Sequence, residues 1–433
     1  MKAKILFLVL ILSSLSSITA VNARLNSDDS VLINYIDKHK TNQLKLLEDL
    51  VNINSGTGNR RGVEKVGERF RIELDDLGFK TQWVNLPASM KHAGSLVATH
   101  SGPGKKILII GHLDTVFPSH SPFQSFTLSP DHLSATGPGV IDDKGGLVTI
   151  LYALKALNQA GKLKYANLTV VLTGDEEQAE KPTSISRKAL TEAAQGSDIA
   201  LGFEFSLTEN QLVTGRRGLS EWYLSSSGKS GHSSKIFQAA SGDGAIYETA
   251  RVLNSFRTVL SNIPGLTLNP GIILGGQTVK EDTQQNTGNA SGQKTIIAAQ
   301  TLVHGDLRFL SDEQKCMVEQ KMREITMSAL PLTSSQLIFN NIMPAMSEKN
   351  ENRQLLAEFS DISVALGGSS LQAVSAAERG GADISYIAQY VSASLDGLGP
   401  WGKGAHSQSE TLEVKSLPEV TKRAAIFINH YLN

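Results

Sequence analysis

The sequence predicts an α/β fold with a smaller α+β domain set into it. Two short runs, the wholly apolar residues 107–110 and the mostly apolar 168–172, have the character of strands covered on both faces. A helical apolar stretch at 147–157 lies between them, and alternation of this kind builds a layered sheet with functional loops at the carboxyl ends of its strands. In the middle of the chain the periodicity changes, and strands and helices follow one another in the order of a small separate domain.

Element by element, an amphipathic opening leads to a helix over 44–53 and a second over 63–77, stopped by Gly78. The strand at 107–110 ends at Gly111, a loop rich in Ser, Pro and Phe occupies 116–138, and the helix at 147–157 ends by Gly161. The inserted domain is expected to hold strands at 220–226, 272–274 and 301–309 and helices at 244–260 and 313–327. Residues 277–293, with many Gln, Asn, Thr and Gly, are expected to form a loop or a hairpin tip. From Pro331 the α/β character resumes, with a helix at 354–366 and residues 384–390 leading back to the main sheet.

The chain has 433 residues, enough for two domains, and a formal net charge of −1. Near-neutral charge without a basic stripe gives no reason to expect a nucleic-acid partner. A single cysteine, Cys316, excludes an internal disulfide and a thiolate metal cluster. Lys2 and Lys4 precede an apolar run over 5–18, and Ala20 or Ala23 offers a small-residue cleavage position, the pattern of a secretory signal peptide. The run is short for a span, so no stable membrane anchor is expected, and export to the periplasm or the cell exterior is. Removing residues 1–23 takes away the two lysines and no acid, which moves the net charge to −3.

Oxygen and imidazole ligands gather where these elements end. His112 and Asp114 follow the first buried strand, Asp142-Asp143-Lys144 precedes the buried helix, and Asp175-Glu176-Glu177 follows the second strand. Glu204 lies just beyond an apolar run at 199–201, and His406 closes a Gly-rich segment. Carboxylates and neutral imidazoles at strand ends suit a zinc environment. Taken singly each piece has a plainer reading: a hydrogen-bonded loop histidine, a solvated acidic turn, a helix cap.

Together the motifs resemble the zinc-dependent exopeptidases of the M20 family, in particular the glutamate carboxypeptidase branch. The matching segments are His112-Leu113-Asp114-Thr115-Val116, Gly139-Val140-Ile141-Asp142-Asp143-Lys144-Gly145-Gly146, Asp175-Glu176-Glu177, Phe203-Glu204, Gly228-Lys229-Ser230-Gly231-His232 and Gly404-Ala405-His406. The resemblance implies a catalytic domain with a mixed central sheet flanked by helices, plus a lid or dimerisation domain with a four-stranded sheet and two helices. The expected division is a signal peptide over 1–23, the catalytic domain over 24–215 and 331–433, and the lid over 216–330.

Carried over residue by residue, the resemblance implies two zinc ions, with cobalt or manganese as alternatives. His112 and Glu204 accompany one ion, Glu177 and His406 the other, and Asp142 bridges them across a cis peptide to Asp143. Asp114 orients His112. Glu176 takes a proton from the attacking water and returns it to the leaving nitrogen. His232 reaches toward a partner subunit's site and stabilises negative charge on the substrate oxygen, so a homodimer through the lid is implied. The implied substrate is a small peptide or an N-acyl amino acid, the second of which would make the protein an amidohydrolase or deacylase. A non-catalytic exported zinc-binding module is the reading from a different class, opposed by the intact proton carrier and ligand set.

Substrate recognition departs from the pattern. Where relatives place an arginine before Pro-Ala, this chain has Asn341-Ile342-Met343-Pro344-Ala345. Arg308, within Asp306-Leu307-Arg308-Phe309, matches a family segment and is the substrate-binding candidate, its plainer reading being a lid residue paired with an acid. Arg216, Arg217 and Lys280 are the other candidate cations. Residues 178–183 also replace a small Gly-Ser turn found in relatives.

Overall fold

The computed structural model describes residues 25–283 and 285–432, so the expected signal peptide lies outside the described residues. Among the described residues no helix is long and apolar enough to cross a membrane.

A six-stranded mixed sheet carries the larger domain, in the order Lys80–Val84, Ser95–His100, Asn167–Thr173, Lys106–His112, Ile199–Gly202, Ala393–Leu395. The first two strands run antiparallel to their neighbours, and the last four run parallel to one another. Strand alternation explains the apolar runs. Ile107 and Ile109 point into the core formed by the helices Ser27–Lys38, Lys40–Val51, Lys144–Gln159 and Ser416–Tyr431. Leu108 and Ile110 enter a second core on the opposite face, with Leu190, Ala200, Ile384 and Ile387. Residues 384–390 therefore do not lead straight back into the sheet. Asp383–Tyr386 is a 3-10 turn packed on the sheet's face, and the returning strand is Ala393–Leu395.

The smaller domain is a four-stranded antiparallel sheet, ordered Thr267–Gly276, Gln300–Phe309, Gly218–Gly228, Thr333–Met343. The helices Gly244–Leu260 and Asp312–Met327 cover one face, and Trp222, Leu224, Val252, Phe256, Val303 and Leu307 fill the core between. The fourth strand lies beyond the expected limit at residue 330. Its sequence mixes Ser, Gln and Asn with Leu337 and Phe339, because one face packs only lightly, and that hides the strand signal. Within the expected loop or hairpin tip, Thr278–Asp282 pairs antiparallel with Thr287–Ser291, and the exposure of the two strands accounts for their polar composition.

Candidate functional site

Three neighbouring parallel strands end side by side and deliver acids and an imidazole to one place. His112 is the last residue of Lys106–His112, Glu176 and Glu177 follow Asn167–Thr173, and Glu204 follows Ile199–Gly202. This is the carboxyl edge of the sheet, where open α/β folds place their sites. Asp142 arrives from the turn before the helix Lys144–Gln159. That helix approaches closely because a Cβ on Gly146 would collide with the carbonyl of Phe203. His406 follows the strand Gly399–Lys403 and holds a left-handed backbone, φ 64°.

Asp142 divides its carboxylate between two imidazoles. Oδ1 lies 3.1 Å from His112 Nε2, and Oδ2 lies 2.9 Å from His406 Nε2. On one side His112 Nε2 is also 3.5 Å from Glu204 Oε1, and on the other His406 Nε2 is 3.2 Å from Glu177 Oε2. The result is two triads, His112–Asp142–Glu204 and Asp142–Glu177–His406, each with donor atoms within 4.8 Å of one another. The peptide between Asp142 and Asp143 is cis. Glu177 Oε1 is buried without a hydrogen-bond partner among the described residues, a free lone-pair donor on the same carboxylate. A donor set of imidazole and carboxylate with such an orphan oxygen fits divalent cations such as zinc, cobalt or manganese.

The charges respond to this crowding. Burial opposes protonation of His112, but Asp114, Asp142 and Glu204 outweigh it and hold its pKa well above 6.5. His406, bonded to Asp142 and Glu177, is raised to about 11. Burial pushes Glu177 up to about 7 and Glu176 well above the usual carboxylate range, the latter helped by the Glu204 charge. Glu176 lines a small internal void with His112, Glu204, Asp383 and Asp396.

A second ring of residues fixes these groups. Asp114, fully buried, faces His112 Nδ1 at 3.3 Å and accepts the backbone amides of Glu176 and Glu177 at 3.0 and 3.2 Å. Glu410 accepts the amides of Gly139, Ile141 and Asp142 at 3.1, 2.9 and 3.1 Å, so the loop that presents Asp142 is held from 268–271 residues away. Buried Arg187 spans Asp175 at 2.5 Å and Asp383 at 2.6 Å, tying the Glu176 loop to the turn Asp383–Tyr386. Arg379, 5% exposed, lies 3.9 Å from Glu204. Glu410, Arg187 and Arg379 are not among the sequence candidates. Only their burial marks them, and no local pattern announces partners so distant.

The remaining candidates lie apart from the cluster or are already engaged. His232 is exposed in the lid and bonds to Ser234 Oγ at 2.8 Å. Arg308 pairs with Asp306 at 3.3 Å on the lid sheet. Lys280 is exposed on the hairpin, and Arg217 donates to the Ala377 carbonyl at 3.0 Å. Arg216 is buried against Asp396 at 2.7 Å.

Comparison with known proteins agrees with this geometry. Residues 108–430 match the profile described as Peptidase family M20/M25/M40. The chain is 28% identical over 410 residues to Carboxypeptidase G2 of Pseudomonas sp. (strain RS-16), covering 92% of each. It is 22% identical over 296 residues to a protein described as a probable succinyl-diaminopimelate desuccinylase of Staphylococcus aureus (strain Mu50), covering 65% of this chain and 68% of the other. The fold resembles that of aminopeptidase PepT from Bacillus cereus, with a TM-score of 0.71 at 18% identity, over 91% of this chain and 99% of that one.

Proposed function

The chain belongs to peptidase family M20/M25/M40, and from that premise we propose that it is a carboxypeptidase-like exopeptidase that hydrolyses an amide bond of a small peptide or N-acyl amino acid. The observation that carries the reading is the Asp142 carboxylate, shared between two three-residue donor sets. Two zinc ions held there would polarise the scissile carbonyl and acidify the attacking water.

His112 and Glu204 would hold one ion and Glu177 and His406 the other, with Asp142 a member of both donor sets. Glu177 would be ionised as a ligand. Glu176, which is not a member of either triad, takes the proton from the water and delivers it to the leaving nitrogen. Its enclosure raises its pKa above the usual carboxylate range, which favours the protonated form that hands the proton to the leaving group. Asp114 keeps the His112 ring turned toward Asp142.

His232 is assigned to the substrate oxygen of a partner subunit, where an imidazole donor would meet developing negative charge. An exposed apolar cluster on the lid supports a homodimer through that domain: Phe237, Ile246, Tyr247 and Ile273 are each more than half exposed. The leader-like pattern of residues 1–23 supports export to the periplasm or the cell exterior.

The experiment is hydrolysis of a panel of dipeptides, glutamyl amides and N-acetyl amino acids by the zinc-loaded protein, followed by mass spectrometry. Cleavage abolished by a chelator and restored by zinc supports the reading. No cleavage of any amide by protein that retains two zinc ions refutes it and leaves a zinc-binding module.

A further inference from the structure

Three buried arginines stand around the site, and two of them are neutralised. Arg187 is held between Asp175 and Asp383, and Arg216 donates to Asp396 at 2.7 Å and to the Gly380 carbonyl at 2.9 Å. Arg379 differs. It is 5% exposed, yet among the described residues its guanidinium makes no hydrogen bond, and its one carboxylate neighbour within 4 Å is Glu204 Oε2, at 3.9 Å. Its N–H donors therefore stay accessible without an acceptor from the chain, and an anion that arrives from outside can meet them.

The setting is built to hold such a group still. The guanidinium lies over the ring of Phe205, 4.3 Å from its centroid, which occupies one face and leaves the donor edge open. The backbone on either side is anchored, since Arg217 binds the Ala377 carbonyl and Arg216 binds the Gly380 carbonyl. Glu204, the nearest anion, turns its other oxygen toward His112 at 3.5 Å as part of a candidate metal triad, so its charge is directed there.

We infer that Arg379 receives a free carboxylate of the substrate, from a loop of the larger domain and not from the lid, and so restricts the site to amides flanked by a carboxylate. This rests on the amide-hydrolase reading. A guanidinium presents two parallel N–H donors to a carboxylate, a match that an amide or ester lacks. Arg308 and Arg217 are paired elsewhere and Lys280 is exposed on the hairpin, which leaves the role to Arg379.

The test uses zinc-loaded protein carrying Glu176→Gln, so that turnover does not intervene, with Arg379 intact or replaced by Gln or Lys. Titration calorimetry measures binding of N-acetyl and N-benzoyl amino acids against their carboxamides, which reports a carboxylate on the leaving side. N-Succinyl against N-butyryl amino amides reports one on the acyl side. With Arg379 intact, one arm is expected to show a preference for the acid of more than about tenfold. In Arg379→Gln that preference falls to near one while zinc content is unchanged, and Arg379→Lys retains part of it. A preference that survives in Arg379→Gln, no preference with Arg379 intact, or zinc lost along with the preference overturns the inference. If Arg379→Gln does not fold, Arg379→Lys carries the same comparison through its reduced preference. Turnover of the same compounds by protein with Glu176 intact is read separately. Absent cleavage with the acid preference present defeats the hydrolase reading and not this one.

Discussion

Asp114, fully buried, and Glu176 are joined by a hydrogen bond from the Glu176 amide to Asp114 Oδ1, 3.0 Å long. The same carboxylate faces His112 Nδ1 and accepts from Glu177 and Thr57. One acid therefore sets the positions of an imidazole on one strand end and of two glutamates on the next. Asp114→Asn is expected to lower zinc affinity about 10–100-fold, because its amide nitrogen would face N–H donors that now meet oxygen. Zinc titration with a competing chelator measures this, and an unchanged affinity counts against the positioning role.

Arg187 links the loop of Asp175 and Glu176 to Asp383 across the second core. Removing its charge leaves two buried acids uncompensated, so Arg187→Met is expected to destabilise the protein by about 3–5 kcal/mol. Arg187→Lys keeps the charge but loses the fork that meets both acids, and should fall between. Urea denaturation of the three proteins gives the order. A loss of less than about 1 kcal/mol in Arg187→Met would show the network to be unimportant.

The cluster also fixes the sign of a pH effect. In chelator-treated protein His406 is raised from 6.5 to about 11 and His112 is raised as well. Their contribution to stability is thus complete below pH 6.5 and lost as pH rises through the folded-state values. Glu177, raised from 4.5 to about 7, acts in the same direction between those two values. Cation binding requires the same groups unprotonated. The difference in Tm between zinc-loaded and chelator-treated protein should therefore widen from about pH 6.5 to about pH 9. Calorimetric scans across that range check it, and a constant or shrinking difference would be contrary.

Glu176→Gln removes the proposed proton carrier and leaves both triads intact. Turnover is expected to fall at least about 10²–10⁴-fold with two zinc ions retained. Near-normal kcat in the zinc-loaded variant would assign the proton to another group.

Much of this arrangement was legible in the sequence because the strands that end at the site are buried on both faces. Residues 107–110, 168–172 and 199–201 read as mainly apolar runs, and the acids and histidine that follow them are conspicuous. The lid strand Thr333–Met343 was not legible, since half its residues face solvent and are as polar as a loop. Glu410 and Arg379 escaped for another reason. A buried charge in a Ser- or Gly-rich segment looks like a surface charge until its partner, hundreds of residues away in the chain, is placed beside it. Arg308, by contrast, carried a recognisable segment and stands on the lid sheet paired with Asp306.

Metal stoichiometry of the purified protein and of Asp142→Ala, determined by inductively coupled plasma mass spectrometry, bears most directly on the shared carboxylate. Two zinc ions per chain are expected in the unaltered protein, both lost or severely weakened in Asp142→Ala, with His406→Ala retaining one. A single ion in the unaltered protein, or two ions undisturbed in Asp142→Ala, would contradict a site organised around Asp142.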